Sequence, residues 1–310
     1  MNSFAVSLIV VNYNGEVFLK KLLEMIRSQT FEDFEVVFVD DGSNDKSLEI
    51  VQKYMGCLKI QVLKLEHKGV GFARQKGVEN AKGKYVMFLD ADDYILPKFI
   101  ETYYTAIEKE LSDVLFLSVL KGATFRTAHV VEIPSKIGTT CISQALLTGE
   151  MSGWLFQTIS DRRVWENNSL FGQINYAEDL FALLQIASEG YDFKIATECN
   201  PQYFYRHNPN SLTEKTSWEN INSMIEAAEY ARKFNFKDNR RKLYHLLSKK
   251  MLLNALGQSL VSGDSVTVGM TKKKLLSKRN IESFSWIDII RIKLGLYAVR
   301  NRMGSFLSLN

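Results

Sequence analysis

Short apolar runs alternate with amphipathic segments along the first 120 residues of the chain. The runs are rich in β-branched and aromatic residues, which favour strands, and the segments between them repeat apolar residues at helical spacing. The predicted strands cover 6–11, 34–39, 60–65, 85–89 and 114–120, and the predicted helices cover 17–28, 47–54, 71–81 and 97–111. Strands separated by helices of this length form βαβ crossovers, so the pattern predicts a mostly parallel sheet.

The alternation weakens after residue 120. Residues 130–133 are β-like, 177–189 predict one helix, and 218–262 predict further helices because apolar residues recur there every three or four positions. We therefore predict an α/β fold with a Rossmann-like, mostly parallel central sheet and flanking helices. This part should span 1–215, with halves at 1–120 and 121–215, and a helical C-terminal extension should occupy 216–310.

Composition and cysteine usage indicate a globular intracellular protein. The 310 residues are 46% hydrophobic, which supplies a substantial core. The three cysteines, Cys57, Cys141 and Cys199, are widely spaced and lack metal-ligand spacing, as suits reduced thiols in a cytosol. The first apolar run follows no basic segment and precedes no small-residue cleavage site, so it predicts a strand and not a signal peptide. We expect a cytoplasmic protein.

The C-terminal residues carry an excess of positive charge. Residues 271–310 contain nine Lys and Arg against Glu282 and Asp288, a net charge of +7 that leaves −3 for the rest of a chain whose total is +4. An apolar helical face follows the basic run, through Trp286, Ile287, Ile290, Leu294 and Tyr297. Such a basic amphipathic tail can lie on an anionic membrane surface, here the inner face of the cytoplasmic membrane. Packing of the same helix on protein is the alternative, and neither arrangement indicates a nucleic-acid partner.

Two predicted strands end in carboxylates. The run 34–39 leads into Asp40 and Asp41, and the run 85–89 leads into Asp90, Asp92 and Asp93. Ligands of open α/β sheets bind at the carboxyl ends of strands, and clustered carboxylates there predict a divalent cation. Asp90 and Asp92 are alternate residues whose side chains could address one ion. An acidic turn that caps the next helix is the alternative interpretation.

Five sequence blocks, at residues 6–14, 28–35, 39–45, 71–74 and 88–93, together resemble family 2 glycosyltransferases of the GT-A fold. Weaker similarity continues through 176–180 and 205–208, and none is evident beyond 215. The resemblance implies a nucleotide-activated sugar donor, Mn²⁺ or Mg²⁺ as cofactor, and inversion at the anomeric carbon. It also makes 1–120 the nucleotide-sugar-binding half and 121–215 the acceptor-binding half.

The resemblance assigns roles on the donor side of this site. Asp92 would be the direct metal ligand, and Asp90 would contact ribose or metal-bound water. Asp41 would contact the base, which is chemically reasonable because a carboxylate can accept the imide N–H of uracil; ordinary turn chemistry also explains its Asp-Gly-Ser setting. The nucleotide-sugar pocket would be completed by Val11, Tyr13, Arg74 and Ala91.

On the acceptor side, the resemblance makes Asp179 the general base and Glu178 the residue that orients it or contacts the acceptor. Acidic residues at a helix N-terminus are also favoured by the helix dipole alone. His207 would touch metal or phosphate, although a loop histidine without a role fits equally. Trp154 would pack on an acceptor sugar, or it belongs to the core.

The sequence thus predicts a metal-dependent, inverting glycosyltransferase that moves one sugar from a UDP-sugar to a glycan or lipid-linked acceptor in cell-surface polysaccharide assembly. Single-sugar addition is favoured because the chain lacks both the Gln-x-x-Arg-Trp block of processive synthases and a transmembrane segment. The alternatives are a sugar-phosphate nucleotidyltransferase and a catalytically inactive, membrane-docked nucleotide-sugar-binding protein.

Overall fold

A computed structural model of the chain describes residues 4–124, 126–133, 142–166, 174, 176–196, 198–206, 216–233, 241–277, 280, 284–285, 288–289 and 292. His207 and most of the amphipathic tail lie outside the described residues. Contacts divide the chain into two compact units. The first contains described residues from Met1–Ile142, Gly153–Gln173 and Asp179–Asn208, and the second contains those from Ser143–Ser152, Ile174–Glu178 and Pro209–Asn310.

The first unit is built on a central sheet that has seven strands among the described residues. In chain order these strands are β1 (Phe4–Asn12), β2 (Phe34–Asp40), β3 (Ile60–Lys64), β4 (Gly83–Asp90), β6 (Val114–Phe116), β9 (Thr158–Asp161) and β10 (Phe193–Ile195). Their spatial order is β10-β6-β9-β4-β1-β2-β3. β1 pairs in parallel with both β2 and β4, and β2 pairs in parallel with β3. The predicted α/β class with a mostly parallel sheet is confirmed.

Helices cover the strands, and the first helix shows the apolar stripe that packs one of them on the sheet. In α1 (Glu16–Arg27) the buried residues Leu19, Leu22, Leu23 and Ile26 recur at helical spacing. The other helices of this unit are α2 (Ser47–Gln52), α3 (Val70–Asn80), α4 (Phe99–Glu110) and α6 (Glu178–Ser188). β1, β2 and β4 are buried on both faces between them, as their continuous apolar runs predict.

The predicted strand 114–120 is divided in the structure. Val114–Phe116 forms β6 of the central sheet, and β7 (Val119–Gly122) joins a second sheet. Between them the Leu117 amide donates to the Gln157 carbonyl at 2.8 Å, so the chain leaves one sheet for the other at this point. A run of apolar residues does not encode such a change of partner, because residues 114–117 and Val119 are all buried and read as one continuous run.

The second sheet consists, among the described residues, of β5 (Tyr94–Ile95), β7, β8 (His129–Val131) and β11 (Tyr203–Arg206). Its spatial order is β5-β11-β7-β8. β5 directly follows the acidic turn after β4, and β11 pairs antiparallel with it. This sheet therefore continues the fold from the acidic turn toward the predicted acceptor-binding half.

The second unit is helical in its described part. The predicted helices over 218–262 are present as α7 (Trp218–Lys233) and α8 (Arg241–Ser262), and the unit also contains α9 (Ser265–Leu275) and most of α5 (Ile142–Thr148). α7 buries Ile221, Met224 and Ile225 on one face. Asp264 caps α9 by accepting the amides of Val266 and Thr267. Within the described ranges, no helix is long and apolar enough to cross a bilayer.

Candidate active site

The predicted donor residues lie at the carboxyl ends of the three neighbouring strands β4, β1 and β2. Register pairs Val11 of β1 with Asp90 of β4, and Asn12 of β1 with Asp40 of β2. The turns that carry Tyr13, Asp41 and the acidic run after Asp90 consequently begin side by side. This is the sheet edge at which an open α/β fold binds its ligands.

Arg74 joins two predicted site residues from different segments. It extends from α3, is 4% exposed, and donates from Nη2 to Asp90 Oδ1 at 3.0 Å. Its Nη1 lies 3.4 Å from Asp179 Oδ1, at the beginning of α6. One guanidinium thus brings the first carboxylate of the acidic turn and the predicted general base together.

The acidic turn contains one carboxyl group that the sequence analysis did not assign. Asp93 is buried, and its carboxyl group accepts the Tyr203 hydroxyl at 2.5 Å and the Arg206 amide at 2.9 Å. Burial, together with the charges of Asp90 and Asp92, raises the pKa of Asp93 well above its usual range. Asp93 fastens the acidic turn to β11, which sets the position of Asp92.

Arg206 also holds this turn from β11. Its Nε donates to the Asp92 carbonyl at 3.0 Å, and its guanidinium lies over the rings of Phe18 and Tyr94. Asp93, Tyr203 and Arg206 are thus supporting residues that sequence reasoning missed. The third acid of the run Asp90-Ala91-Asp92-Asp93 was the available signal, because Asp93 lies outside the alternate spacing that Asp90 and Asp92 share.

The carboxylate of Asp41 is hydrogen-bonded within the protein. Its carboxylate is 2% exposed and accepts the amides of Lys68 and Gly69, each at 2.9 Å. His67 Nδ1 lies 2.8 Å from Asp41 Oδ2. Asp41 therefore fixes the turn that precedes α3, where Gly69 has a φ of +97° that suits glycine. A base could reach this carboxylate only if His67 moved.

His67 is a further residue of this region that the sequence did not predict. Its ring stacks on Tyr13, with centroids 4.0 Å apart and an interplanar angle of 15°. Tyr13 remains 47% exposed, so the predicted base-packing residue is accessible at the site. No local sequence pattern predicts the contact between Tyr13 and His67, because it joins two loops that follow different strands.

Glu178 and Asp179 occupy the start of α6. Glu178 is buried and the Asp179 side chain is 17% exposed. Ala177, which precedes them, has a φ of +57° in the left-handed region, an uncommon conformation for a residue with a side chain. The chain thus enters α6 through a strained turn, and Asp179 emerges beside Arg74.

Trp154 is half-buried in a group of aromatic rings. Its ring centroid lies 5.2 Å from those of Phe156 and Tyr205. The preceding Gly153 lies so close to α6 that a Cβ there would sit 2.9 Å from the Leu180 Cα. The neighbours of Trp154 and Asp179 in the chain are therefore in close contact.

The acidic turn suits a divalent cation shared with a phosphate ligand. The charges of Asp90 and Asp92 already act on Asp93, so a cation would offset repulsion there. Among the described residues, no three His, Cys, Asp or Glu side chains form a group that could hold a metal by themselves. Mg²⁺ is commonly held by one or two carboxylates plus substrate phosphates, and the oxygens of Asp92 and Asp90 fit that requirement.

Comparisons with known proteins give related glycosyltransferases. Residues 7–139 match the family model described as glycosyl transferase family 2. The uncharacterized glycosyltransferase EpsJ of Bacillus subtilis is 30% identical over 224 residues, 67% of this chain and 63% of EpsJ. The poly(ribitol-phosphate) beta-N-acetylglucosaminyltransferase TarS of Staphylococcus aureus is 39% identical over 124 residues, 39% of this chain and 22% of TarS. The chain thus spans less than two thirds of the length of these relatives.

Solved structures show the same fold. The crystal structure of S. aureus TarS 1–349 in complex with UDP-GlcNAc has a TM-score of 0.62 at 20% identity and covers 94% of this chain and 92% of that one. The mannosyltransferase PcManGT from Pyrobaculum calidifontis, in complex with GDP-Man and Mn²⁺, has a TM-score of 0.56 at 16% identity and covers 95% and 87%. The chain therefore has the GT-A fold. The chain belongs to glycosyl transferase family 2.

Proposed function

We propose that this protein transfers a single sugar from a UDP-sugar to a glycan or lipid-linked acceptor, with inversion at the anomeric carbon. The observation that carries the proposal is the position of Arg74 between Asp90 and Asp179. A donor-side carboxylate and a carboxylate able to accept a proton then lie within 3.4 Å of one buried guanidinium. Such an arrangement suits transfer between two bound substrates.

The donor would bind across the carboxyl ends of β1, β2 and β4. Tyr13 would pack against uracil, and the backbone at Val11 and Ala91 would line the nucleotide pocket. Asp41 would contribute to base recognition once His67 leaves its carboxylate. The UDP-GlcNAc complex of TarS supports a UDP-sugar as the donor class.

Transfer with inversion requires that the acceptor hydroxyl attack opposite the leaving diphosphate. Asp179 would accept the proton from that hydroxyl, and Glu178 would help to orient it. Arg74 would hold Asp179 in position during this step. Mn²⁺ or Mg²⁺, held by Asp92 with Asp90 nearby, would stabilise the charge of the leaving nucleoside diphosphate. His207 would contact that metal or a phosphate, and Trp154 would contact the acceptor.

We place the protein in the cytoplasm, at the inner face of the cytoplasmic membrane, where surface polysaccharides begin their assembly. The basic segment 271–302 would provide attraction to anionic lipid. We retain the division of the chain at residue 215, with a donor half, an acceptor half and a helical extension, as part of this proposal.

The test combines binding and turnover on two variants of α6. Wild-type protein should bind UDP more tightly than GDP in calorimetry, and Mn²⁺ should strengthen UDP binding. Asp179→Asn should keep the UDP affinity but lower sugar transfer by about 10²- to 10⁴-fold, the usual contribution of a general base. Glu189→Gln, which removes one acid at the opposite end of the same helix, should transfer at the wild-type rate.

Two results would contradict the proposal at different levels. Equal transfer rates for wild type and Asp179→Asn would remove Asp179 from catalysis. Absence of binding to both UDP and GDP, with and without Mn²⁺, would remove the nucleotide-sugar donor itself. A screen of UDP-sugars for transfer is justified only if UDP binds.

A further inference from the structure

One row of side chains crosses the second sheet from Tyr205 to His129. In the pairing of β11 with β7, Tyr205 lies directly opposite Lys121, and in the pairing of β7 with β8, Lys121 lies directly opposite His129. Directly paired residues project from the same face of a sheet. His129 is exposed, and Tyr205 and Lys121 are half-buried. An aromatic ring and two basic groups therefore form one continuous strip.

Trp154 completes this strip from the loop before β9. The Lys121 ammonium lies 5.2 Å from the centroid of Trp154 and 5.1 Å from that of Tyr205. Cation–π attraction between the ammonium and two ring systems fixes the lysine at the edge of the aromatic group. The lysine charge is thus held in a defined place next to two half-buried rings.

Two backbone contacts join the strip to the transfer site, one next to Tyr205 and one next to Trp154. On the β11 side, Tyr205 is followed by Arg206, whose amide donates to Asp93 at 2.9 Å. On the Trp154 side, Gly153 packs against Leu180, the residue after Asp179. The chain segment that carries Trp154 is thus packed against the start of α6, which carries Asp179.

We propose that Trp154, Tyr205, Lys121 and His129 form an acceptor subsite for a saccharide or polyol chain that carries an anionic group, either a phosphodiester or a carboxylate. This inference rests on the proposed function and specifies the class of acceptor. The rings cover the C–H surface of the chain, which suits aromatic side chains. Lys121 pairs with the anionic group, and His129 donates a further hydrogen bond. The charge then sets the register of the acceptor beside Asp179.

The test measures binding of three soluble probes by calorimetry at low salt. The probes are oligo(ribitol phosphate), oligogalacturonate and a maltooligosaccharide of matched length, which carry phosphodiester, carboxylate and no charge. We expect at least one anionic probe to bind more tightly than the neutral one. Lys121→Met should weaken that binding by about three- to fivefold, the effect of a partly exposed ion pair. Lys121→Arg should preserve the preference because it keeps the charge.

Lys53→Met is the matched control, since Lys53 is exposed on the first unit far along the chain from this strip. The anionic probe that wild-type protein binds more tightly identifies the recognised group as the phosphodiester or the carboxylate. The subsite is disproved if the neutral probe binds as tightly as both anionic ones, if Lys121→Met keeps the preference, or if no probe binds.

UDP affinity measured on the same samples separates this inference from the proposed function. If UDP binds and the anionic preference is absent, only the acceptor subsite is wrong. If UDP fails to bind but Lys121→Met abolishes a clear anionic preference, the anion-binding strip stands and the donor assignment falls. Circular dichroism of each variant shows whether a lost signal reflects a lost fold.

Discussion

The ring of His67 lies stacked on the ring of Tyr13, with 4.0 Å between centroids, while its Nδ1 contacts the buried carboxylate of Asp41. One side chain thus covers part of the aromatic surface proposed for the base and occupies the carboxylate proposed to recognise it. Tyr13 is 47% exposed and accessible to a base, but binding of that base to the Asp41 carboxylate would require the His67 ring to give up its contact there.

This exchange predicts opposite effects for two substitutions. Tyr13→Ala should weaken UDP binding by about tenfold, because stacking of a base on an aromatic side chain contributes about 1–3 kcal/mol. His67→Ala should tighten UDP binding by a few-fold, because no ring contact then has to be broken. Calorimetry with UDP measures both, and Tyr13→Phe is the control that keeps the stacking surface. Weaker binding by His67→Ala would mean that His67 itself contacts the nucleotide.

Because Arg74 contacts both Asp90 and Asp179, we predict that sugar transfer depends on the planar shape of its guanidinium as well as on its charge. In Arg74→Lys a single ammonium replaces two separated nitrogens, so one side chain can no longer hold Asp90 and Asp179 together in the same geometry. We expect sugar transfer to fall by about 100-fold. Arg27→Lys, at a surface pair with Glu24, should leave the rate unchanged. A wild-type rate for Arg74→Lys would show that the bridge is not used in transfer.

The metal assignment predicts a loss of metal dependence in Asp92→Asn. Removing one carboxylate charge takes away the proposed direct ligand, so Mn²⁺ should no longer strengthen UDP binding. Titration of UDP with and without Mn²⁺ measures the difference. Glu79→Gln, which removes an exposed acid paired with Lys76 on α3, should keep the wild-type response to Mn²⁺. The assignment is wrong if Asp92→Asn responds to Mn²⁺ as wild type does.

The packing of α3 on the sheet predicts a stability difference between two helical glycines. A Cβ at Gly77 would lie 2.5 Å from Ile9 Cγ2 and 3.3 Å from Val39 Cγ2, so Gly77→Ala should destabilise the fold by about 1–3 kcal/mol. A Cβ at Gly257 in α8 meets nothing within 4 Å, so Gly257→Ala should be neutral or stabilising by up to about 1 kcal/mol. Thermal unfolding compares them. Equal melting temperatures for the two variants would contradict the close approach of α3.

The membrane proposal is best tested by charge removal, because α9 extends into the basic segment and buries Thr271 and Leu275. A truncation at residue 271 would disrupt that packing. Replacing Lys272, Lys273 and the basic pair at 278–279 with glutamine should weaken binding to phosphatidylserine vesicles by two to three orders of magnitude, at roughly 1 kcal/mol per basic residue.

A matched loss of four positive charges elsewhere is the control for that experiment. It should leave vesicle binding nearly intact if attraction is local to the C-terminal segment. The four exposed lysines suited to this control are Lys20, Lys53, Lys64 and Lys98. Equal losses in the two sets of substitutions would mean that vesicles respond to net charge alone, and the segment would have no special role.

The parallel core could be predicted because β1, β2 and β4 are buried on both faces and therefore read as continuous apolar runs. Asp90 and Asp92 could be found for the same reason, since they follow such a run directly. β9 could not be predicted, because its sequence Thr158-Ile159-Ser160-Asp161 contains one apolar residue and is recruited by strands on either side. The contacts of Asp41 with His67 and of Asp93 with Tyr203 depend on loops that meet only after folding.

The place of β9 has a consequence for how this protein folds. It pairs antiparallel with β4 on one side and with β6 on the other, although about 70 residues separate it from β4 along the chain. During synthesis, β4 therefore leaves the ribosome before residues 158–161, the strand that pairs with this edge. An unpaired edge of buried apolar residues is a template for association with other chains. Pairing of β9 with β4 thus removes an edge through which the unfinished chain could associate with other chains.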